Sequence, residues 1–97
     1  MSTLKEAAIE KFLDAEVRRR GGFTVKLDPH GYKGIQDRLV VLPRRILFVE
    51  LKRPRGGVVA ELQRWWQARV RTLGHEAHIV NTEAGVLKVL DGEVPEG

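Results

Sequence analysis

Residues 46–52, Ile-Leu-Phe-Val-Glu-Leu-Lys, constrain the fold more than any other stretch of the chain. Side chains of a strand alternate between its faces. Ile46, Phe48, Glu50 and Lys52 therefore share one face, and Leu47, Val49 and Leu51 share the other. The run is apolar on both faces up to residue 50, so it belongs in the middle of a sheet covered above and below. Two charges then arrive one residue apart, and Pro54 follows. A charge at a partly buried rim is costly unless something compensates it.

The preceding strand, expected over residues 36–42, brings a second acid, Asp37. A tight turn around Pro43 and Arg44 joins it to the strand expected over 45–52. If the turn residues are Pro43 and Arg44, Asp37 lies opposite Glu50; if they are Arg44 and Arg45, Asp37 lies opposite Lys52. Either turn puts Asp37 on the face of Glu50 and Lys52. Opposed Cβ atoms stand about 5 Å apart, and two carboxylates that close repel each other unless a cation lies between them. One reading is therefore a divalent metal held by Asp37 and Glu50, since carboxylates and waters are the common ligands of Mg²⁺, with Lys52 beside it to orient a water, take its proton or stabilise transition-state charge. The other reading is structural: a cross-strand Asp37–Lys52 ion pair with Glu50 at the rim. Spacing alone leaves both open.

The rest of the chain supplies a small set of elements. Residues 3–19 read as a helix capped by Ser2 or Thr3, with Ile9, Phe12, Leu13 and Val17 at helical spacing, stopped by Gly21-Gly22. Residues 23–27 alternate as a strand, and residues 28–34 form a polar, glycine-punctuated loop. Residues 53–57, Arg-Pro-Arg-Gly-Gly, make a second loop, basic in character. A helix follows over 59–73, with an expected apolar stripe of Leu62, Trp66, Val70 and Leu73 and with Gly74 just past its end. Trp65, next to Trp66, points elsewhere and is the more exposed of the two. A buried strand over 77–80 and a last helix over about 83–91, capped by Asn81 or Thr82, complete the order. The fold class is α/β, in the order αβββαβα, with helices packed on a small central sheet. The 97 residues fit one domain spanning 1–97, with a frayed tail over about 92–97.

Composition narrows the function classes. There is no cysteine, hence no disulfide framework and no cysteine-based zinc site. No apolar run approaches the roughly 20 residues that span a bilayer, and the first residues lack the basic, apolar and cleavage regions of a signal peptide. An intracellular, cytoplasmic protein is the expectation. Lys and Arg number 17 against 13 acids, a net charge of +4. That balance favours a polyanionic partner, although a basic face can also be simply solvated. Arginine dominates, and its planar fork suits phosphate. His30, His75 and His78 have no ligand spacing with one another and are read as non-metal, with His30 a DNA contact.

The stretch "GIQDRLVVLPRRILFVELKRP", residues 34–54, resembles the core of the VRR-NUC (virus-type replication-repair nuclease) domain, a branch of the PD-(D/E)XK nuclease superfamily. Gly34, Asp37 and Arg38, the hydrophobic strand, and Glu50-Leu51-Lys52 carry the match. "VRRRGG" upstream, Gln63 on the next helix and "LGHEAHIV" downstream extend it over most of the chain. Gln36 departs from the family, which usually has proline before the aspartate. The resemblance implies a restriction-endonuclease-like fold and Mg²⁺- or Mn²⁺-dependent hydrolysis of DNA phosphodiesters. It implies Asp37, Glu50 and the backbone carbonyl of Leu51 as metal ligands and Lys52 as the catalytic lysine. It also implies a first-helix glutamate near the metal: Glu6, which falls inside the apolar sector of the helix, or Glu10, just outside it. Gln63 sits where superfamily members contact the attacking water or the substrate. The expected DNA contacts are Arg38, Arg53, Arg55, Arg64, Lys33 and His30. Stand-alone minimal domains of the family in phage-like settings resemble Holliday-junction resolvases, so a homodimer acting on four-way junctions is the expectation. The alternatives are a flap-cutting or nicking nuclease and a non-catalytic DNA-binding module. The Trp65 side of the second helix and the first helix are both candidate dimer surfaces.

Overall fold

A computed structural model describes residues 6–27, 38–52 and 61–92. The order is α1 (Glu6–Arg19), β1 (Phe23–Lys26), β2 (Arg38–Leu42), β3 (Arg45–Leu51), α2 (Glu61–Thr72), β4 (Glu76–Val80) and α3 (Glu83–Leu90). This is the expected α/β order. The expected caps Ser2 and Thr3 and the tail 93–97 lie outside the described residues.

The sheet has the strand order β1-β2-β3-β4. β3 is central, antiparallel to β2 and parallel to β4, as its two apolar faces require. Leu42 pairs with Arg45 and Arg38 with Val49. That register belongs to the Pro43-Arg44 turn and excludes the Arg44-Arg45 alternative. Arg44 takes φ 63° at the turn's second position, where a type II turn needs a left-handed residue after proline.

One face of the sheet holds the core. Val40 and Leu42 of β2, Leu47, Val49 and Leu51 of β3, and Val80 of β4 pack against Ile9, Leu13 and Val17 of α1 and Val86, Val89 and Leu90 of α3. Phe12 packs against this cluster from its edge. The opposite face receives only α2 among the described helices. There Phe48 meets Trp66 edge to face, with ring centroids 5.3 Å apart.

The expected stripe of α2 needs correction. Trp66 and Val70 do face the protein, but Leu62 and Leu73 are exposed. The sheet-facing side is instead Gln63, Trp66, Gln67 and Val70, rotated by about 60° from the centre of the apolar stripe at about 100° per residue. Gln63 bonds to Glu50 on β3, and Gln67 is buried. A polar anchor at the first turn and the Phe48–Trp66 ring contact thus set the helix's rotation, and Leu62 and Leu73 are turned outward.

Helix ends follow the glycines. Gly21, at φ 88°, and Gly22 close α1 through Gly21 N–H to Arg18 O and Gly22 N–H to Val17 O, both 2.9 Å. Gly74, at φ 91°, and His75 repeat the pattern on α2. This is the Schellman arrangement that glycine enables by entering the left-handed region without a Cβ penalty. Of the two candidate caps for α3, Thr82 is the one used: its hydroxyl accepts from Gly85 N–H at 2.9 Å. Among the described residues no helix is long and apolar enough to cross a membrane.

Candidate active site

The C-terminal end of β3 carries the charges that the sequence made conspicuous. Glu50 is only 6% exposed. It lies on the face covered by α2, because alternation along β3 puts it in line with Phe48. Gln63, in the first full turn of α2, donates its amide to Glu50 Oε2 at 2.8 Å, and Lys52 Nζ stands 3.3 Å from the same oxygen. One buried carboxylate oxygen is thus shared by an amide donor and an ammonium. Lys52 N–H bonds to Val80 O at 2.9 Å, so β4 holds the backbone of Lys52 while its side chain stays partly open. This arrangement holds a carboxylate oxygen and a cation side by side at a partly open rim.

Of the other expected site residues, Asp37, Lys33 and His30 fall in 28–37, and Arg53 and Arg55 in 53–60; both segments lie outside the described residues. Glu6 begins α1, with its side chain outside the description. Arg64 is exposed on α2. Among the described residues no group of three His, Cys, Asp or Glu could hold a metal ion. Glu50 supplies the hard oxygen that Mg²⁺ or Mn²⁺ takes. The described part of the site is compatible with such an ion but supplies one acid of the set.

Arg38 is placed differently from its expected role as a DNA contact. Its side chain is buried on the core face of β2 and ion-paired with Glu10 of α1. Burial pushes the pKa of its guanidinium down from the usual arginine range. The alternation that puts Asp37 on the Glu50 face puts Arg38 on the opposite one, so this was readable from parity. The pair also engages Glu10, the second candidate for the first-helix ligand, in locking α1 to β2.

A second polar cluster went unread. Arg45, at the start of β3, forms two bonds to Glu76 of β4 at 2.7 and 2.6 Å and also donates to Val89 O and Leu90 O at the end of α3. Glu76 in turn meets the ring Nε2 of His78 at 3.0 Å. The Arg45 guanidinium holds the Glu76 carboxyl down at about 2, with a smaller contribution from His78. Burial lowers the pKa of His78, and its Glu76 contact opposes that. The cluster braces β3, β4 and α3 at the end of β3 away from Glu50. Its one sequence signal is that Arg45 falls, by alternation, on the core face.

The fold and this rim arrangement can be set against known proteins. No protein-family sequence model matches the chain. A solved structure described as a "VRR_NUC domain" superposes with a TM-score of 0.82 at 29% identity, covering 92% of this chain and 97% of that one. A protein of Acyrthosiphon pisum secondary endosymbiont phage 1, named "Putative nuclease p44", is 39% identical over 84 residues, covering 86% of this chain and 89% of the relative. The chain belongs to the VRR-NUC family. Its Glu50-Leu51-Lys52 stretch therefore sits at the end of the central strand of a nuclease fold of the VRR-NUC type.

Proposed function

We propose that this VRR-NUC chain is a divalent-metal-dependent, structure-selective DNA endonuclease that resolves four-way junctions by paired cuts, acting as a homodimer. The observation that carries the catalytic part is the buried Glu50 carboxylate, held at 2.8 Å by Gln63 and 3.3 Å by Lys52 at the end of the central strand. Asp37, Glu50, the Leu51 carbonyl and Glu6, or Glu10 if it leaves Arg38, would hold Mg²⁺ or Mn²⁺. When bound, such an ion neutralises charge on the phosphoryl group and acidifies a water. Gln63 fixes the rotamer of Glu50. Lys52 would stabilise, as an ammonium, the charge that grows on the phosphoryl oxygens, or accept a proton from the attacking water once it has lost its own. A four-way junction has two-fold symmetry, and one site cuts one strand. Two copies related by a two-fold axis supply both cuts, and that is the commonest closed assembly. DNA repair or recombination in a cytoplasmic setting of phage or bacterial type goes with this reading.

The test incubates four-way, flap, nicked and linear DNAs with and without Mg²⁺. Symmetric paired cuts in the four-way junction, dependent on the metal, are expected. Lys52→Ala should lose about 10²–10⁴ in cleavage rate yet keep Mg²⁺ and DNA binding. Glu50→Gln should weaken metal binding itself, measured by calorimetry. Wild-type-like turnover by Lys52→Ala removes the lysine's role. Preferential cutting of flaps or single nicks makes the chain a flap or nicking nuclease. Binding without cleavage of any substrate makes it a non-catalytic module.

A further inference from the structure

We infer that the outer face of α2 is a ledge for single-stranded DNA, on which Trp65 stacks a base left unpaired at a branch while Arg64 and Arg69 hold the neighbouring phosphates; the inference deepens the branched-DNA reading above and rests on it. Trp65 is 60% exposed. Among the described residues the ring contact of this helix is made by Trp66 with Phe48, and not by Trp65. An indole is a large apolar surface, and leaving it in water forgoes the stabilisation that burial would bring. The core does not use this ring, so its face is available to a partner that has a flat face of its own.

The helix sets the ring among cations. Gln63 reaches Glu50 and so marks the direction of the sheet. Trp65 stands about 160° from Gln63 round the helix, at about 100° per residue. Arg64 falls about 100° from Trp65, on the β4 side, where Arg71 reaches the Ala77 carbonyl. Arg69 falls about 40° from Trp65 on the other side. A guanidinium therefore stands on each flank of the indole. Ala68 and Thr72 share this face and are too small to cover the ring, and Glu61 is the only acid of the helix. Every one of these side chains is exposed. Side chains of a helix lean towards its N-terminus. Trp65 thus leans towards the end of α2 that carries Gln63, and Arg69 leans towards Trp65.

Charge and shape choose the occupant. Arg20, Arg38 and Arg45 are paired with acids, whereas among the described residues no acid pairs with Arg64 or Arg69. Open guanidinia beside a bare indole suit a strand of nucleic acid, with phosphates on the arginines and a base on the ring. A second copy of this face would bring the same positive charges and be repelled. Continuous duplex cannot use the indole, because inside a stack each base face is covered by its neighbours. A face is free only where the stack is broken, at a single strand, a flap or the centre of a junction. The ledge therefore separates branched DNA from continuous duplex. Its reach also fits the rim. A helix is about 10–12 Å across with its side chains, so the indole stands on the order of four nucleotides from Glu50 at the stacked spacing of about 3.4 Å. A strand cut beside Lys52 can thus lay its branch on Trp65.

The experiment titrates the protein, in Ca²⁺ to hold cleavage off, with a short single-stranded oligonucleotide, a flap, a four-way junction and a relaxed covalently closed circular duplex. The chain has two tryptophans, so the difference in emission between wild type and Trp65→Phe reports Trp65. Quenching is expected on the oligonucleotide and the branched DNAs and not on the circle. Trp65→Ala should lower the ratio of branched to circular-duplex affinity about 5- to 100-fold, the worth of one base stacked on an aromatic ring. Trp65→Phe should restore most of that ratio. The side chain is exposed, so circular dichroism should show both variants folded. Changing Arg64 and Arg69 together to alanine should flatten the slope of log affinity against log salt on the oligonucleotide by about 1.4, at about 0.7 per contact on single strands. An unchanged slope overturns the phosphate contacts. Branched DNA that is cut in Mg²⁺ without quenching Trp65 in the Ca²⁺ titration, or an affinity ratio unchanged in Trp65→Ala, overturns the ledge and leaves the nuclease reading standing. Quenching by branched DNA with no cleavage of any substrate in Mg²⁺ leaves the ledge standing and overturns the nuclease reading. Equal quenching by the circular duplex makes the indole a backbone contact and overturns base stacking.

Discussion

Glu76 shows how a single side chain can hold one strand to the next and tie that contact to pH. Its pKa in the folded protein is about 2, against an ordinary value of 4.5, chiefly because Arg45 bonds to it. A depressed carboxylate contributes stability that is complete above about 4.5 and is lost as the pH falls towards 2. His78, lowered by burial, acts in an earlier window: its neutral form is favoured in the fold, so stability begins to fall below its ordinary value of 6.5. Glu76→Gln should therefore flatten the loss between about pH 4.5 and 2 and lower stability at neutral pH. Urea unfolding midpoints measured at each pH check this. An unchanged acid limb in Glu76→Gln would show that Arg45 does not hold Glu76 in solution. At this scale the sequence was legible where alternation decides. Glu50 and Lys52 share a face, Trp66 faces inward and Trp65 outward, and parity assigns Arg38 to the core side. Partner choice was not legible. Nothing local says that Arg45 takes Glu76, thirty-one residues on, or that Gln63 takes Glu50, because both pairs exist only once β4 and α2 are laid beside β3.

Elements were legible to within a few residues because their stops are chemical. Gly21-Gly22 and Gly74 end helices, Thr82 starts one, and Pro43-Arg44 turns the hairpin. The rotation of α2 was not legible, since an apolar stripe of Leu62, Trp66, Val70 and Leu73 states a preference that the Gln63–Glu50 bond and the Phe48–Trp66 contact override. The glycines themselves differ in what they demand, and this can be tested. A Cβ on Gly22 would meet the Val41 carbonyl oxygen at 2.1 Å and Val17 Cγ1 at 3.1 Å. A Cβ on Gly74 would meet nothing within 4 Å, but φ there is +91°. Gly22 is thus needed for the close approach of the end of α1 to β2, and Gly74 only for its backbone angle. Gly74→Ala should cost about 1–2 kcal/mol, the penalty of the left-handed region. Gly22→Ala should cost about 3 kcal/mol, at the upper end for overpacking, because backbone must move rather than a side chain. Denaturant titrations of the two variants compare the losses; equal losses would mean that α1 does not approach β2 this closely.

At the scale of the molecule, the arginines divide into those spent inside the fold and those left for a partner. Arg20 bonds to Glu16 and Asp91, Arg38 to Glu10 and Arg45 to Glu76, and Arg71 donates to the Ala77 carbonyl. The two acids of Arg20 lie in α1 and just past α3, so that contact clamps two helices. A count of positive charge therefore overstates what a polyanion can use, and the useful ones should lie near the Glu50 rim. Arg53 and Arg55 follow Lys52 by one and three residues in the sequence, and they are the arginines expected to meet DNA there. Counterion release then gives a number. Each phosphate contact contributes about 0.9 to the slope of log affinity against log salt on duplex DNA, so removing both arginines should flatten that slope by roughly 2. Arg45→Ala is the internal comparison: its guanidinium is committed to Glu76 and the end of α3, so it should lower stability and leave the salt slope unchanged. Binding titrations on a four-way junction at several salt concentrations, in Ca²⁺ to hold cleavage off, read both effects. A slope unchanged by Arg53→Ala/Arg55→Ala, or one flattened by Arg45→Ala, would mean that DNA approaches from the hairpin end of β3 and not across the rim that carries Glu50 and Lys52.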